Sequence, residues 1–304
     1  MDQVRIIVDN DVNQRIDKYL LNHLDNVTRS QIQLMIAARD IKVNNEEARA
    51  SYKPRRGDVI EITIREQIPQ DILPEPIPLD IIYEDDDIII VNKPQGLVVH
   101  PATGNYSGTL VNALMHHCQQ LSNVNVIIRA GIVHRIDKDT SGLLVACKTD
   151  DAHRRVSMQF KKKLVTRVYE TLVHGVIVHD TGRIDAPIGR HLDNRKLMAV
   201  TAGGKPAVTH FKVIERFAGH TRLELRLETG RTHQIRVHLQ YIGYPVVGDP
   251  YYGAKKDENK NGQFLHAKIL GIYHPRTGEF MQWEAPPPDY FQEYLELLRS
   301  REQS

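Results

Sequence analysis

Followed by the alternation of apolar and polar positions, the chain changes character about a quarter of the way along. From Gln14 to Leu24, Ile16, Leu20 and Leu24 recur at helical spacing. Ile32, Met35 and Ile36 share a face of a second helix that Thr28 can cap. IKVNNEEA then puts an Asn44–Asn45 turn between strand-like pieces, and RRGDVIEITI ends in alternation. Beyond residue 78 strands dominate. LDIIYEDDDIIIVNKP reads as two strands around an acidic turn, and GLLVACK as a buried strand. VYETLVHGVIV, AVTHFKVIERF and TRLELRLET alternate with the period of strands that have one wet face. HAKILGIYHPRTGEFMQWEAP predicts a hairpin turning at Arg276–Glu279. Helices are fewer: GTLVNALMHHC, the basic MQFKKKLVTR region, and THQIRVHLQYIGY, which ends near Gly243. Strands with scattered helices and no βαβ rhythm predict an α+β fold with a mixed, mostly antiparallel sheet.

The sharpest break is PQDILPEPIP, residues 69–78, with four prolines in ten residues. Proline removes donors and disfavours helix at the preceding residue, so an extended linker is expected there. It separates a small α/β module, 1–68, from a large domain, 79–304. Arg29, Lys42, Lys53, Arg55 and Arg56 concentrate positive charge in the small module, which suits the phosphates of a nucleic acid. The plain alternative is a compact cap on the larger domain. The 304-residue chain has a net charge of only +2, so any basic surface is local. Cys118 and Cys147 stand in no partner motif, which points to a reduced, cytoplasmic protein. The charged start, MDQVRIIVDNDVNQR, is no signal peptide, and no apolar run approaches the roughly 20 residues of a membrane span.

Within GIVHRIDKDTSGLLVACK, residues 131–148, charged residues interrupt what should be continuous core. Asp137, Asp139, Ser141 and Gly142 fall at positions 1, 3, 5 and 6 of a calcium loop, but position 12 is Lys148 where a bidentate Glu is needed. Zinc fares no better. His116, His117 and Cys118 diverge on a helix without a second ligand pair, and His233 and His238 are five residues apart. No G-x-S-x-G, Walker A or dinucleotide fingerprint occurs. What remains is Asp137 ahead of a buried strand, and Arg231, His233 and Arg236 opening a helix whose apolar face is Ile235, Leu239 and Ile242. Singly these read as a turn carboxylate and surface arginines. Together they suggest more, because a semi-buried Asp needs a cation to stay ionised and a planar Arg is its best partner. Spacing alone does not bring them together.

HRIDKDTSGLLVACK, KKLVTRVYETLVHG, LETGRTHQIRVHLQYIGYPVVGDPYYG and VNKPQGLVVHP closely resemble the RluA-type pseudouridine synthases, nearest the type D enzymes of large-subunit ribosomal RNA. The N-terminal module resembles an S4 RNA-binding domain, with Asn44-Asn45 where that domain usually turns on Asn-Gly. The resemblance covers nearly the whole chain. It implies a cofactor-free, metal-free isomerase that turns uridine into pseudouridine, with Asp137 as nucleophile or base. It further implies that Tyr169 stacks on the target base and that Arg236 keeps Asp137 ionised. Arg135 would enter the RNA stack where the uridine leaves, and His134, Arg231 and His233 would contact RNA. Arg29 and Lys42 would do so from the S4 module. Lys161–Lys163 reads as a solvated helix face or a phosphate rail. The implied partner is large-subunit ribosomal RNA or a precursor of the 50S particle, met by a monomer. Alternatives are a type C or transfer-RNA synthase, and a non-catalytic RNA-binding protein of ribosome assembly. A carboxylate glycosidase would need a second acid, for which Asp139 is a weak candidate.

Overall fold

The computed structural model describes residues 2–24, 29–64, 72–101, 105, 107–122, 130–194, 197–254 and 262–302. It divides into two compact units, Met1–Asp71 and Ile72–Ser304.

The small unit runs β1 (Asp2–Ile7), α1 (Ile16–Tyr19), α2 (Arg29–Ala37), β2 (Ile41–Val43), β3 (Glu46–Glu47) and β4 (Val59–Ile64). Its sheet has the order β1-β4-β2-β3. The single helix expected over residues 14–24 is instead the short α1 followed by a 3₁₀ turn, Leu20–Asn22. No side chain caps its start at Arg15, and so short a segment tightens readily into 3₁₀ geometry. Ile16, Leu20 and Leu24 still reach the core, beside Ile32, Ile41, Ile60 and Ile62. Thr28, the expected cap of α2, lies outside the described residues, as does the side chain of Arg29. Asn44 and Asn45 both have positive φ, +52° and +67°, as a two-residue type I′ turn requires. Asn44 also locks the turn, donating to Asp58 Oδ1 and accepting from the Val59 N–H.

The large unit contains β5 (Ile81–Glu84), β6 (Ile88–Lys93), α3 (Leu110–His117), β7 (Ser141–Cys147), α4 (Asp150–Lys161), β8 (Thr166–His174) and β9 (Thr181–Asp185). Then come β10 (Ile188–Arg190), β11 (Met198–Val200), β12 (Val208–Phe217), β13 (His220–Leu227), α5 (Gln234–Tyr241), β14 (Leu265–Tyr273), β15 (Phe280–Glu284) and α6 (Asp289–Glu302). Nine strands form one sheet in the order β5-β6-β7-β14-β8-β13-β12-β9, with β15 also paired to β14. Only β7 and β14 run parallel, so the expected mixed, mostly antiparallel sheet is present.

Several segments depart from expectation for identifiable reasons. β8 does not alternate: it is buried from Val168 to Val173 because β14 and β13 flank it and both of its faces are covered. It stops at His174, where Gly175 takes φ +89°, so GVIV is not strand and Val178 is exposed. The basic helix begins earlier than expected and ends at Lys161. Lys163 turns left-handed at φ +59°, and Thr166–Arg167 already belong to β8. α6 went unforeseen, although Phe291, Leu295 and Leu298 pack at helical spacing against Phe264. Residues 69–71 of the proline-rich stretch lie outside the described residues. From Ile72 on, that stretch is pinned to α3, where Asn112 Nδ2 donates to the Leu73 carbonyl and the Glu75 N–H to the Asn112 carbonyl. Among the described residues no helix is long and apolar enough to cross a membrane.

Two positions yield tests. Gly142 has φ +110° and lies against the Ala267 backbone where β7 meets β14, so a Cβ there would collide with main chain that has nowhere to move. Gly142→Ala should destabilise the chain by about 2 kcal/mol or more in urea titrations followed through Trp283. Asp58 is the second. Burial alone would raise its pKa, but the Arg55 N–H, Tyr52 and Asn44 hydrogen bonds hold it below the ordinary carboxylate range. A folded-state pKa below the unfolded one contributes stability above about pH 4 that disappears as the pH falls through the folded value. Asp58→Asn should therefore cost about 1–3 kcal/mol at pH 7, with the difference from wild type shrinking under acid. Loss of β2 and β4 amide NMR signals during urea titration reads it.

Candidate active site

Asp137, Tyr169 and Arg236 arrive from three elements at one cavity of about 500 Å³ in the large unit. The sheet order brings them together. Ala267 on β14 sits between Gly142 on β7 and Tyr169 on β8, so the loop ahead of β7 hangs beside the Tyr169 ring. That loop is tied down along its length. Gln263 Nε2 donates to Thr140 Oγ1 at 2.5 Å, and Ser141 Oγ meets His266 Nδ1 at 2.9 Å. Lys93, buried at the end of β6, donates to the carbonyls of Pro94, Leu97 and Lys138 at 2.8–2.9 Å. Burial pulls its pKa down to about 7 while Asp139 and Asp137 pull it up. Three carbonyl acceptors call for three N–H donors, so Lys93 is an ammonium here.

Arg236 lies near the start of α5 and is 3% exposed. Its Nε and Nη2 donate to the two oxygens of Asp249 at 2.6 and 2.8 Å, and its Nη1 donates to Asp137 Oδ2 at 2.8 Å. The rings of Tyr252 and Tyr251 lie within 5.0 and 5.8 Å of the guanidinium. Burial would lower the pKa of Arg236, but the two carboxylates raise it well above its ordinary range. Asp249 is buried and also accepts the N–H groups of Tyr251 and Tyr252. Asp249 was not foreseen from sequence, although its place in VVGDPYYG, after a buried Val-Val pair, was a signal of an inward carboxylate.

Beside this trio stands His233, left-handed at φ +55°. Its Nδ1 is 2.8 Å from the Tyr252 hydroxyl, whose oxygen accepts the Met198 N–H. His233 and Tyr252 thus share one hydrogen bond through Nδ1 and the hydroxyl. Nε2 faces Asp137 Oδ1 across 4.0 Å. Burial lowers the His233 pKa, against the pull of Asp137, which agrees with a neutral ring. Gln234 builds the turn before α5: its Oε1 accepts from Thr229 and the Arg231 N–H, and its Nε2 donates to Val208 and Thr209. Tyr169 is 7% exposed, and burial raises its hydroxyl pKa, with Arg167 opposing.

The remaining expected residues separate. Arg135 is exposed and lines the cavity, as do Arg231, Lys161 and Lys163. Arg231 Nε donates to the Pro206 carbonyl. His134 faces the protein: its Nε2 accepts the Val145 N–H and its ring stacks on Phe160. Burial, with the Arg167 charge, pushes its pKa to about 3, so it is neutral. Lys42 is exposed on β2 in the small unit. Of the metal candidates, His238 is a core residue bonded to Thr209 and the Ala186 carbonyl. Asp85, Asp87 and His274 cluster elsewhere among the described residues. Arg276 occupies Asp87, while Tyr83 and His274 both bond to Asp85. Nothing in that cluster is free for an ion.

The profile of the RNA pseudouridylate synthase family matches residues 87–241, and that of the S4 domain residues 14–60. The chain is 53% identical over 286 residues to a protein of Bacillus subtilis described as the uncharacterized RNA pseudouridine synthase YlyB, covering 94% of each. It is 43% identical to the ribosomal large subunit pseudouridine synthase D of Haemophilus influenzae, covering 94% of this chain and 92% of that one. In fold it is similar to the human RNA pseudouridylate synthase domain containing 1, with a TM-score of 0.58 at 24% identity over 74% of this chain and 96% of that one.

Removing Asp249 strands Arg236 in the core with only Asp137 to pair it. Asp249→Ala should destabilise the chain by about 3–5 kcal/mol in urea. A variant as stable as wild type would mean that Asp249 is not the anchor of the trio.

Proposed function

The chain belongs to the RNA pseudouridine synthase family and carries an S4 domain, and from that premise we propose that it isomerises uridines of large-subunit ribosomal RNA with Asp137 as the reacting group. The observation that carries this reading is the Asp137–Arg236 contact inside a cavity that also contains Tyr169. Asp137 lines the cavity with Oδ2 taken by Arg236 and Oδ1 4.0 Å from His233 Nε2. A uridine cannot present its glycosidic bond to Oδ1 from within a stem, so it is flipped out, at about a few kcal/mol of lost stacking. Arg135, exposed beside the cavity, offers a guanidinium to fill the gap it leaves. Tyr169 offers a face for the uracil ring. Asp137 then acts as nucleophile or base. The N1–C1′ bond breaks with its electron pair leaving on uracil, the ring turns, and C5 bonds to C1′. The C5 hydrogen leaves as a proton, and N1 takes one up. No atom is gained or lost.

Arg231, Lys161 and Lys163 meet backbone phosphates, and the S4 unit, through Arg29 and Lys42, adds affinity and placement. His134, bonded to the Val145 backbone, serves the loop instead of the RNA. The ribosomal target is supported by the names of relatives such as the Haemophilus influenzae synthase D.

Ribosomal RNA from cells with the wild-type gene, without it, and with Asp137→Ala or Asp137→Asn tests this reading. Pseudouridines mapped by carbodiimide and reverse-transcription stops should vanish from large-subunit RNA in the deletion and stay absent in both variants. Stops that persist there but change in transfer RNA would move the substrate and leave Asp137 in place. Activity surviving in Asp137→Ala would remove Asp137 from the chemistry.

A further inference from the structure

Buried charges in proteins are ordinarily paired, because a lone ion loses its hydration without compensation. Among the described residues two partly buried cations of the cavity, Arg167 and Arg231, lack a carboxylate, but Arg231 Nε donates to the Pro206 carbonyl and only Arg167 keeps a buried guanidinium N–H without an acceptor. Arg236 has two carboxylates, and Lys163 lies 3.7 Å from Glu228. Arg135 is exposed and keeps its water. Arg167 does neither. It opens β8 two residues before Tyr169, and its side chain is largely enclosed between the Phe160 ring, 5.7 Å below the guanidinium, and Gly230, whose missing Cβ makes room for Nη1. Its Nε is buried with no hydrogen-bond acceptor. Among the described residues no carboxylate is within ion-pair distance of it. Burial lowers its pKa, and the group that opposes this is the Tyr169 hydroxyl.

The neighbours offer no substitute anion. His134, which also stacks on Phe160, is neutral and has its Nε2 committed to the Val145 N–H. Asp137 is taken by Arg236. A guanidinium held in a cavity wall, with one donor dry and no counter-ion, is a site built for an anion that arrives from outside. A planar fork of this kind matches the two unesterified oxygens of a phosphodiester.

We propose that Arg167 is the phosphate anchor of the cavity, taking the backbone phosphodiester of the uridine that enters beside Tyr169. This rests on the RNA-modifying reading above and gives that reading a fixed point. The flipped nucleotide is gripped by its phosphate at Arg167 while its base lies on Tyr169, two residues along the same strand. Flipping then exchanges lost stacking for a counter-ion that the free protein lacks.

The test uses the full chain with Arg167→Met, which keeps the length and removes the charge, and Arg167→Lys, which keeps the charge and loses the fork. Three measurements are made. In free protein, Arg167→Met should melt at the wild-type temperature or above it, because an uncompensated charge has gone. Inorganic phosphate, titrated at constant ionic strength, should raise the melting temperature of wild type and not that of Arg167→Met. With a stem-loop RNA that wild type modifies, Arg167→Met should bind about tenfold more weakly and lower the salt slope of log Kd by about 1. Arg167→Lys should fall between.

A marked loss of stability in Arg167→Met, with no effect of phosphate on wild type, would make Arg167 a structural residue and overturn the proposal. So would unchanged RNA affinity and salt slope in Arg167→Met. The phosphate titration involves no RNA, so it stands or falls separately from the choice of ribosomal substrate. The Asp137 variants, which keep Arg167, separate loss of chemistry from loss of the anchor.

Discussion

The guanidinium of Arg236, buried between Asp249 and Asp137, is the interaction on which the site depends. One guanidinium cannot neutralise two carboxylates, and the geometry divides it unequally. Asp249 takes Nε and Nη2 in the bidentate arrangement and is itself held by two backbone N–H groups. Asp137 receives one donor, on one oxygen. Counted as charges, Asp249 and Arg236 cancel, and Asp137 remains as the net charge of the trio. The buried pair therefore positions the Asp137 carboxylate by one hydrogen bond, at the desolvation cost that any buried ion pair carries.

The same economy of donors appears around the trio. The Tyr252 hydroxyl accepts from Met198 and shares a hydrogen bond with His233 Nδ1, which holds the imidazole with Nε2 4.0 Å from Asp137 Oδ1. Gln234 spends all four of its hydrogen bonds on the turn that carries His233. Lys93 does the same for the loop that carries Asp137. Each is a polar group with its capacity used up by backbone or hydroxyl partners, so each is rigid, and none competes with a substrate. Rigidity of this kind is what holds a functional side chain in a fixed geometry.

How far the sequence revealed this depended on the range of the physics involved. Local signals worked: the Asn44–Asn45 turn, the seven buried residues of β7 and the hairpin after Tyr273 all follow from patterns a few residues long. Chemistry suggested that Asp137 needs an arginine, but 99 residues separate it from Arg236, and it takes the sheet order β7-β14-β8-β13, with α5 following β13, to bring the two regions together. What was missed was long-range in the same way. β8 looked like a strand with one wet face because alternation cannot report that both of its faces are covered. Asp249 and Arg167 carried no motif-level chemistry of their own. They become legible only once burial is known, the one because it is paired and the other because it is not.

That contrast bears on how a chain of net charge +2 deals with RNA. Non-specific affinity for nucleic acid scales with the number of phosphates neutralised, and a protein with few excess cations cannot rely on a broad basic surface. Here many exposed arginines are already answered by nearby acids, as with Arg155 and Asp151, Arg183 and Asp185, and Arg299 and Glu215. The cations left without carboxylates at the cavity among the described residues, Arg135, Lys161, Arg167 and Arg231, are few, and they line the same cavity as Asp137 and Tyr169. Charge placed in this way adds little to the first encounter with RNA. In the reading proposed above it acts on a nucleotide that has left its stack and entered the cavity, where low dielectric strengthens each contact, so that discrimination would fall on the flipped state and not on the helix beside it.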